Sequence, residues 1–194
     1  MEIIYKGDIQ MPFFQTSLND VTIFEPSVYS DERGHFFESY NEKQFNDAGI
    51  NAKFVQDNQS FSKRGVLRGL HYQLAPFAQA KLVRAVYGEI FDVAVDIRKG
   101  SPDYGKWTAA ILSADNKKQM FIPRGFAHGF LVLSDYAEVI YKCDNLYSPA
   151  HNAGIIYNDK IININWPISH KEIILSEKDA LNPALDNAEN NFVY

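Results

Sequence analysis

Cysteine is nearly absent: Cys143 is the only one in 194 residues, which excludes an intrachain disulfide and a multi-cysteine metal cluster. It falls between Lys142 and Asp144 in a strand-like stretch, where a packed thiol is the ordinary role. No apolar run reaches the roughly eighteen residues a membrane helix requires, and Met1–Gln10, with Glu2, Lys6 and Asp8, has no export-signal core. The expectation is a cytoplasmic protein with no membrane partner. Excess positive charge is missing too. Nineteen Lys and Arg against twenty-four Asp and Glu give a net charge of -5, which argues against a general nucleic-acid or anionic-membrane binder. It leaves room for a local basic pocket around a small phosphate compound. A regular strand–helix alternation is also lacking, which disfavours a parallel α/β fold.

Aromatic residues are plentiful: fourteen Phe, eleven Tyr and two Trp. Many sit in alternating segments and belong to core or subunit interface, while some suit stacking against a flat ligand. Apolar residues make up 46% of the chain, enough for the core of one domain over residues 1–194. Strand patterns run over Val21–Pro26, His35–Tyr40, Val66–Tyr72, Trp107–Leu112, Ala137–Cys143 and Ile161–Trp166. Ala80–Tyr87 and Glu89–Asp96 meet at Gly88 as a tight hairpin. Asn41–Ala48 reads as one short helix, and a helical turn follows Ser176. Residues 1–20 read as an edge strand or an arm lying on a partner subunit, and 176–194 as a tail. The expected fold is all-β, a double-stranded β-helix (jelly roll, cupin-like) with a few short helices.

Polar groups gather in Gln56–Gln73 and again in Pro123–Gly129, and the expected fold brings the two clusters into one pocket. Five histidines are available as bases or ligands. A metal-binding pair spaced by one residue fails at His71, which has Gln73 at the second position, so a metal would need His71, His128 and a distant carboxylate. An acid/base site is the sharper reading, since a neutral imidazole suits proton abstraction near pH 7. Its orienting carboxylate is Asp179, Asp92 or Asp96, and spacing does not choose among them. The plain alternative for His71 is a satisfied buried ring. Arg64, Arg68, Lys81 and Arg84 stand nearby on adjacent strands. Arginines there suit a phosphate and a lysine suits a developing oxyanion, whereas Arg84 and Lys63 read better as solvated face charges. Tyr141 follows Val139 at strand spacing. In a positive pocket its phenolate becomes more accessible, and its hydroxyl can serve as a proton donor opposite His71. On its own it reads as core or rim.

Phe54–Asn58 followed by Gly65–His71 resembles the signature of the dTDP-4-dehydrorhamnose 3,5-epimerases. The likeness continues through Gln79–Val83, Phe91–Arg98, Ile122–Phe130, Tyr141 with Lys142, Trp166 with Pro167, and Leu175–Asp179, and spans about Phe24 to Leu185. It implies a cofactor-free, metal-free homodimer whose N-terminal strands cross to the partner. It also implies a dTDP-sugar substrate, dTDP-4-dehydro-6-deoxy-D-glucose, converted to dTDP-4-dehydro-L-rhamnose. By the same resemblance His71 is the base, Asp179 its carboxylate and Tyr141 the acid. Lys81 stabilises the enolate at O4, and Asp92 and His128 line the pocket. Arg33, Gln56, Asn58 and Arg68 hold nucleotide and phosphates, with Glu38 near the thymine. Tyr157–Asp159 departs from the Trp-Asp-Asp of many members, and Phe77 and Ala78 enlarge a loop. Related enzymes epimerise C3 or C5 alone with nearly the same residues, and a non-catalytic sugar-nucleotide binder on the same scaffold would lack the base or the acid.

Overall fold

In the computed structural model, which describes residues 12–194, side-chain alternation sets the strands. Strand β5 (Gln56–Lys63) turns Gln56, Asn58, Ser60 and Ser62 inward and leaves the intervening residues exposed. Before it come β1 (Phe13–Gln15), β2 (Thr22–Phe24), the ribbon β3 (Tyr29–Asp31) and β4 (Gly34–Phe36), and helix α1 (Glu42–Asp47). After it follow β6 (Leu67–Gln73), β7 (Lys81–Tyr87), β8 (Glu89–Asp96), β9 (Trp107–Ser113) and β10 (Gln119–Ile122). The set ends with β11 (Phe126–Val132), β12 (Tyr136–Cys143), β13 (Asn152–Gly154) and the short helix α2 (Glu177–Ala180). The Asn41 side chain starts α1 by accepting the Gln44 N–H at 3.2 Å, which satisfies one of the free donors at a helix start. Ser176 does the same for α2 through the Asp179 N–H, at 3.1 Å.

A six-stranded sheet has the order β1-β2-β10-β7-β12-β5, a five-stranded sheet β13-β6-β11-β8-β9, and β3-β4 stands apart. Every ladder between these strands is antiparallel. The two large sheets pack face to face over a core that takes Val83, Ile122 and Val139 from one and Ile90, Leu112 and Phe130 from the other. Full burial of each such side chain contributes about 1.5–3 kcal/mol. A second apolar layer, with Val93, Leu131 and Trp166, covers the outer face of the five-stranded sheet. A third, with Phe24, Phe45 and Leu82, seats α1 on the six-stranded sheet.

The expected double-stranded β-helix, a cupin-like jelly-roll barrel, does not form. All three sheets are open: β1 and β5 end the larger, β13 and β9 the next, and no ladder among the described residues joins one sheet to another. A barrel exists only when its edge strands pair. Turn spacing reports how many strands there are, and not which edges hydrogen-bond. The hairpin at Gly88 is also corrected, because β7 and β8 belong to different sheets. Gly88 is a corner at φ +70°, where a Cβ would lie 2.0 Å from the Tyr136 carbonyl oxygen, and only glycine fits. Ile161–Trp166 makes no strand and packs as irregular chain in the outer layer. Of the arm read over 1–20, residues 1–11 lie outside the described residues, while Phe13–Gln15 pairs with β2 of its own chain.

One end of the five-stranded sheet is fixed by Asp96, which is fully buried. It accepts from Arg98 Nη2 at 2.7 Å and from the Ser101 hydroxyl at 2.7 Å. Burial alone would raise its carboxyl, but the hydrogen bonds from Arg98 and Ser101 bring it below the ordinary value. A lowered folded value means the ionised group stabilises the fold above about pH 4, the unfolded carboxyl range, and that this contribution disappears as pH falls through the folded value. Asp96→Ala is therefore expected to cost about 3 kcal/mol near neutral pH, because it leaves Arg98 without its buried partner. Urea unfolding at pH 7 and pH 3 measures this, and the deficit should shrink at the lower pH.

Candidate active site

The inward row of β5 is polar where a core strand would be apolar, and that row forms one wall of a cleft. The cleft opens between the sheets as two adjoining cavities of about 460 and 470 Å³. His71, Lys81, Tyr141 and Asn152 line both. Arg68, Ser60 and Lys178 belong to the first cavity, and Gln56, Asn58, Gln79 and Tyr147 to the second.

His71 comes from β6 of the five-stranded sheet. Its Nε2 lies 2.6 Å from Asp179 Oδ1 on α2. Burial pushes the Asp179 carboxyl up, but hydrogen bonds from His71, the Ser176 hydroxyl and the Gly69 N–H bring it below its usual value. The ionised carboxylate accepts the Nε2–H, which fixes the tautomer and leaves Nδ1 with the free lone pair. The ring is 35% exposed, so this lone pair belongs to a side chain that a ligand can reach. Beside it runs a second pair: His128 on β11 is the ladder partner of His71, and its Nε2 lies 2.8 Å from Asp92 Oδ1 on β8. Burial lowers the His128 imidazole, against the pull of Asp92, so it stays neutral. Asp92 Oδ2 is buried with no hydrogen-bond partner among the described residues.

β6 and β11 come unusually close between these two pairs. A Cβ on Gly69, at φ +141°, would lie 2.5 Å from Gly129 Cα, and the register shifts between His128 and Phe130. The irregularity is a bulge-like break that re-aims side chains on the strand. Arg68 and His71 both face the first cavity, and Arg68 Nε donates to Ser62 Oγ at 3.1 Å.

The wall facing His71 belongs, with β5, to the six-stranded sheet. Lys81 on β7 and Tyr141 on β12 are neighbours there, with Lys81 Nζ 5.9 Å from the Tyr141 ring centre. Burial lowers the Lys81 ammonium from its ordinary value, and the Asp92 carboxylate opposes that shift. Burial raises the Tyr141 hydroxyl and outweighs the nearby Arg68. The expected accessible phenolate is thus corrected: desolvation keeps this tyrosine protonated. Cys143 is buried, pushed up to about 11 chiefly by burial, and takes a weak contact from Asn58 Nδ2 at 3.6 Å.

The cleft therefore holds His71, Asp179, Lys81, Tyr141, His128, Gln56, Asn58 and Arg68 from the sequence reading, with Asp92 behind His128. It does not hold Arg33 or Glu38. Arg33 sits in the β3–β4 turn, 85% exposed and paired with Asp31, and Glu38 accepts from Asn41 Nδ2. Arg64 turns away to the Leu133 carbonyl, and Arg84 lies over Phe37. His71 and His128 point at separate carboxylates, and among the described residues no three His, Cys, Asp or Glu converge as metal ligands. Sequence reasoning missed Ser60 and Asn152. Ser60 was findable, two places after Asn58 on an alternating strand, and its buried Oγ has no partner among the described residues. Asn152 lies in a stretch that shows no strand pattern. In the departing Tyr157–Asp159 loop, Asp159 is buried and accepts the Ile161, Ile162 and Leu185 N–H groups.

Residues 15–187 match the family model described as dTDP-4-dehydrorhamnose 3,5-epimerase. A dTDP-4-dehydrorhamnose 3,5-epimerase of Shigella flexneri is 59% identical over 170 residues, 87% of this chain and 93% of that protein. The crystal structure of the enzyme of that name from Elizabethkingia anophelis matches with a TM-score of 0.87 at 50% identity, covering 90% of this chain and 96% of the other. A dTDP-6-deoxy-D-glucose-3,5-epimerase from Legionella pneumophila, in complex with dTDP-4-keto-L-rhamnose, also gives a TM-score of 0.87, at 48% identity over 90% of this chain and 93% of its own.

Proposed function

The chain belongs to the dTDP-4-dehydrorhamnose 3,5-epimerase family, and from that membership we propose how its own residues carry the reaction. The reaction inverts C3 and C5 of dTDP-4-dehydro-6-deoxy-D-glucose and gives dTDP-4-dehydro-L-rhamnose. The C4 ketone acidifies the proton at either neighbouring carbon, so a base, an oxyanion partner and an opposed acid suffice. His71 takes the proton on Nδ1, and the C–H electron pair moves into the ring as the C4 oxygen becomes an enolate. Lys81 Nζ donates to that oxygen. Tyr141 then gives its hydroxyl proton to the same carbon from the other face, while solvent restores the tyrosine and removes the proton from His71. A second cycle inverts the second carbon. The observation that supports this most is the placement of the His71–Asp179 pair and of Lys81 with Tyr141 on facing sheets around one cleft.

Arg68, Gln56 and Asn58 hold the nucleotide and its phosphates in this reading, and the neutral His128 with Asp92 backs the sugar site. Arg33 and Glu38 serve the nucleotide from outside. They lie on or beside an exposed ribbon away from their own cleft, which fits a homodimer in which each copy completes the other. A cytoplasmic enzyme without nucleic-acid or membrane partners accords with the net charge of -5 and with described helices too short or too polar to cross a membrane.

The test is incubation with dTDP-4-dehydro-6-deoxy-D-glucose in deuterated water, followed by NMR. Deuterium should enter at both C3 and C5, and uptake at one carbon only would defeat the double inversion. Tyr141→Phe separates the acid from the base. Exchange should persist within about tenfold of wild type, while net inversion falls by about a hundredfold. Equal losses of both would remove Tyr141 from the role of acid.

A further inference from the structure

Asp179 reaches His71 because a strap of chain, Ile174 to Pro183, runs along the first cavity. One end is pinned to the β5–β6 corner, where the Ile174 N–H donates to the Gly65 carbonyl at 2.8 Å and the Ile174 carbonyl accepts the Leu67 N–H at 3.0 Å. The other end is pinned at the end of β13. There the Pro183 carbonyl accepts the Ile156 N–H at 2.9 Å, and Asn182 lies against Gly154. A Cβ on Gly154 would fall 2.6 Å from Asn182 Nδ2 and 2.8 Å from its Cγ and Oδ1.

Gly154 is the ladder partner of His71, and the Asn182 N–H donates to the Asp179 carbonyl at 3.3 Å. The contact thus joins the strand neighbour of the base to the turn that carries its carboxylate. Asn182 is half-buried, and its Nδ2 is buried with no hydrogen-bond partner among the described residues, so packing rather than polar bonding by that nitrogen holds it there. Gly154 does not have the left-handed backbone that would itself call for glycine. The side chain missing at 154 leaves space for Asn182.

We propose that Gly154 is a positioning residue: its missing side chain leaves the room that Asn182 occupies, and so lets the strap set Asp179 at hydrogen-bond distance from His71. The inference rests on His71 being the base. Gly154→Ala puts a methyl 2.6–2.8 Å from three Asn182 side-chain atoms, so Asn182 must give way, and the bond from its N–H to the Asp179 carbonyl is the link through which that displacement reaches Asp179. Displacements of about 1 Å at a catalytic pair lower rates by as much as roughly a hundredfold.

The experiment compares Gly154→Ala with the double variant Gly154→Ala/Asn182→Ala, which removes the three atoms the new methyl would meet. The single variant should lose about tenfold to a hundredfold in kcat with KM changed by less than about threefold. In protein labelled with 15N-histidine, the low-field proton of the His71–Asp179 bond should move or broaden. The double variant should recover kcat to within about threefold of wild type, and the proton signal with it. A single variant with wild-type kcat, or a double variant as slow as the single, overturns the proposal. If Gly154→Ala does not fold, Asn182→Leu presses the same contact from the strap side and should show the same loss of kcat and the same signal change, and a wild-type result there overturns it equally. A His71→Ala enzyme that still exchanges deuterium defeats the underlying reading, whereas an inactive His71→Ala alongside an undisturbed Gly154→Ala defeats this inference alone.

Discussion

His71→Ala is expected to lower deuterium uptake at both C3 and C5 by about a thousandfold or more, within the range that a positioned general base supplies. In the proposed mechanism one ring serves both carbons, because His71 has a reachable ring nitrogen while the neighbouring His128 is buried, neutral and engaged by Asp92. The alanine variant also strands Asp179, which then keeps only the Ser176 and Gly69 hydrogen bonds. Nucleotide affinity should remain within a few-fold, since Arg68, Gln56 and Asn58 make no hydrogen bond to His71. NMR of the substrate in deuterated water together with calorimetric titration of dTDP separates the two effects. Wild-type exchange at either carbon would remove His71 from the role of base.

Lys81→Met keeps the stem of the side chain and deletes the charge. Loss of one preordered donor to a developing oxyanion costs about 10²–10³-fold in kcat, and that is the expected result, with KM moving much less. Lys81→Arg should recover part of the loss because the cation remains. The pH profile adds an independent check. Burial lowers the Lys81 ammonium from its ordinary value, so the wild-type enzyme should lose this donor as pH rises through that lowered value, earlier than a free lysine would. In Lys81→Arg the alkaline decline attributable to this position should disappear, since arginine stays charged. A Lys81→Met enzyme with near-normal kcat would show that the enolate is stabilised elsewhere.

The sequence left three carboxylates open as the partner of the base, and the structure gives each a different cation or ring. Asp92 faces His128, Asp96 faces Arg98, and Asp179 faces His71. Nothing in spacing separates them: Asp92 and Asp96 share one face of β8, while Asp179 is 108 positions from its partner. Family likeness singled out Asp179 where residue-level reasoning did not. The strand at β8 was legible from its apolar run, although both of its faces are covered; β5 was not, since its inward row from Gln56 to Ser62 is polar and reads as a polar cluster. Sheet membership was not legible either. Gly88 reads as a hairpin turn because two apolar strands flank a glycine, yet the chain changes sheets there, and the glycine is required because the Tyr136 carbonyl of β12 lies where its Cβ would be. The open edges escaped for the same reason, since an unpaired strand and a paired one have the same pattern of residues. Arg33 shows a further limit: a motif can name a residue that the fold leaves exposed and outside its own cleft.

Between the proposed base and the proposed acid, the gap is a thickness. His71 stands on one sheet and Lys81 and Tyr141 on the other, and what separates the walls is the layer built from Val83, Ile122, Val139, Ile90 and Phe130. Such a layer is close-packed and yields little to compression. The stereochemical outcome is thereby gauged by the volume of side chains that never meet the sugar. On that proposal, fidelity of inversion depends on the solidity of the interior as well as on the groups that touch the sugar.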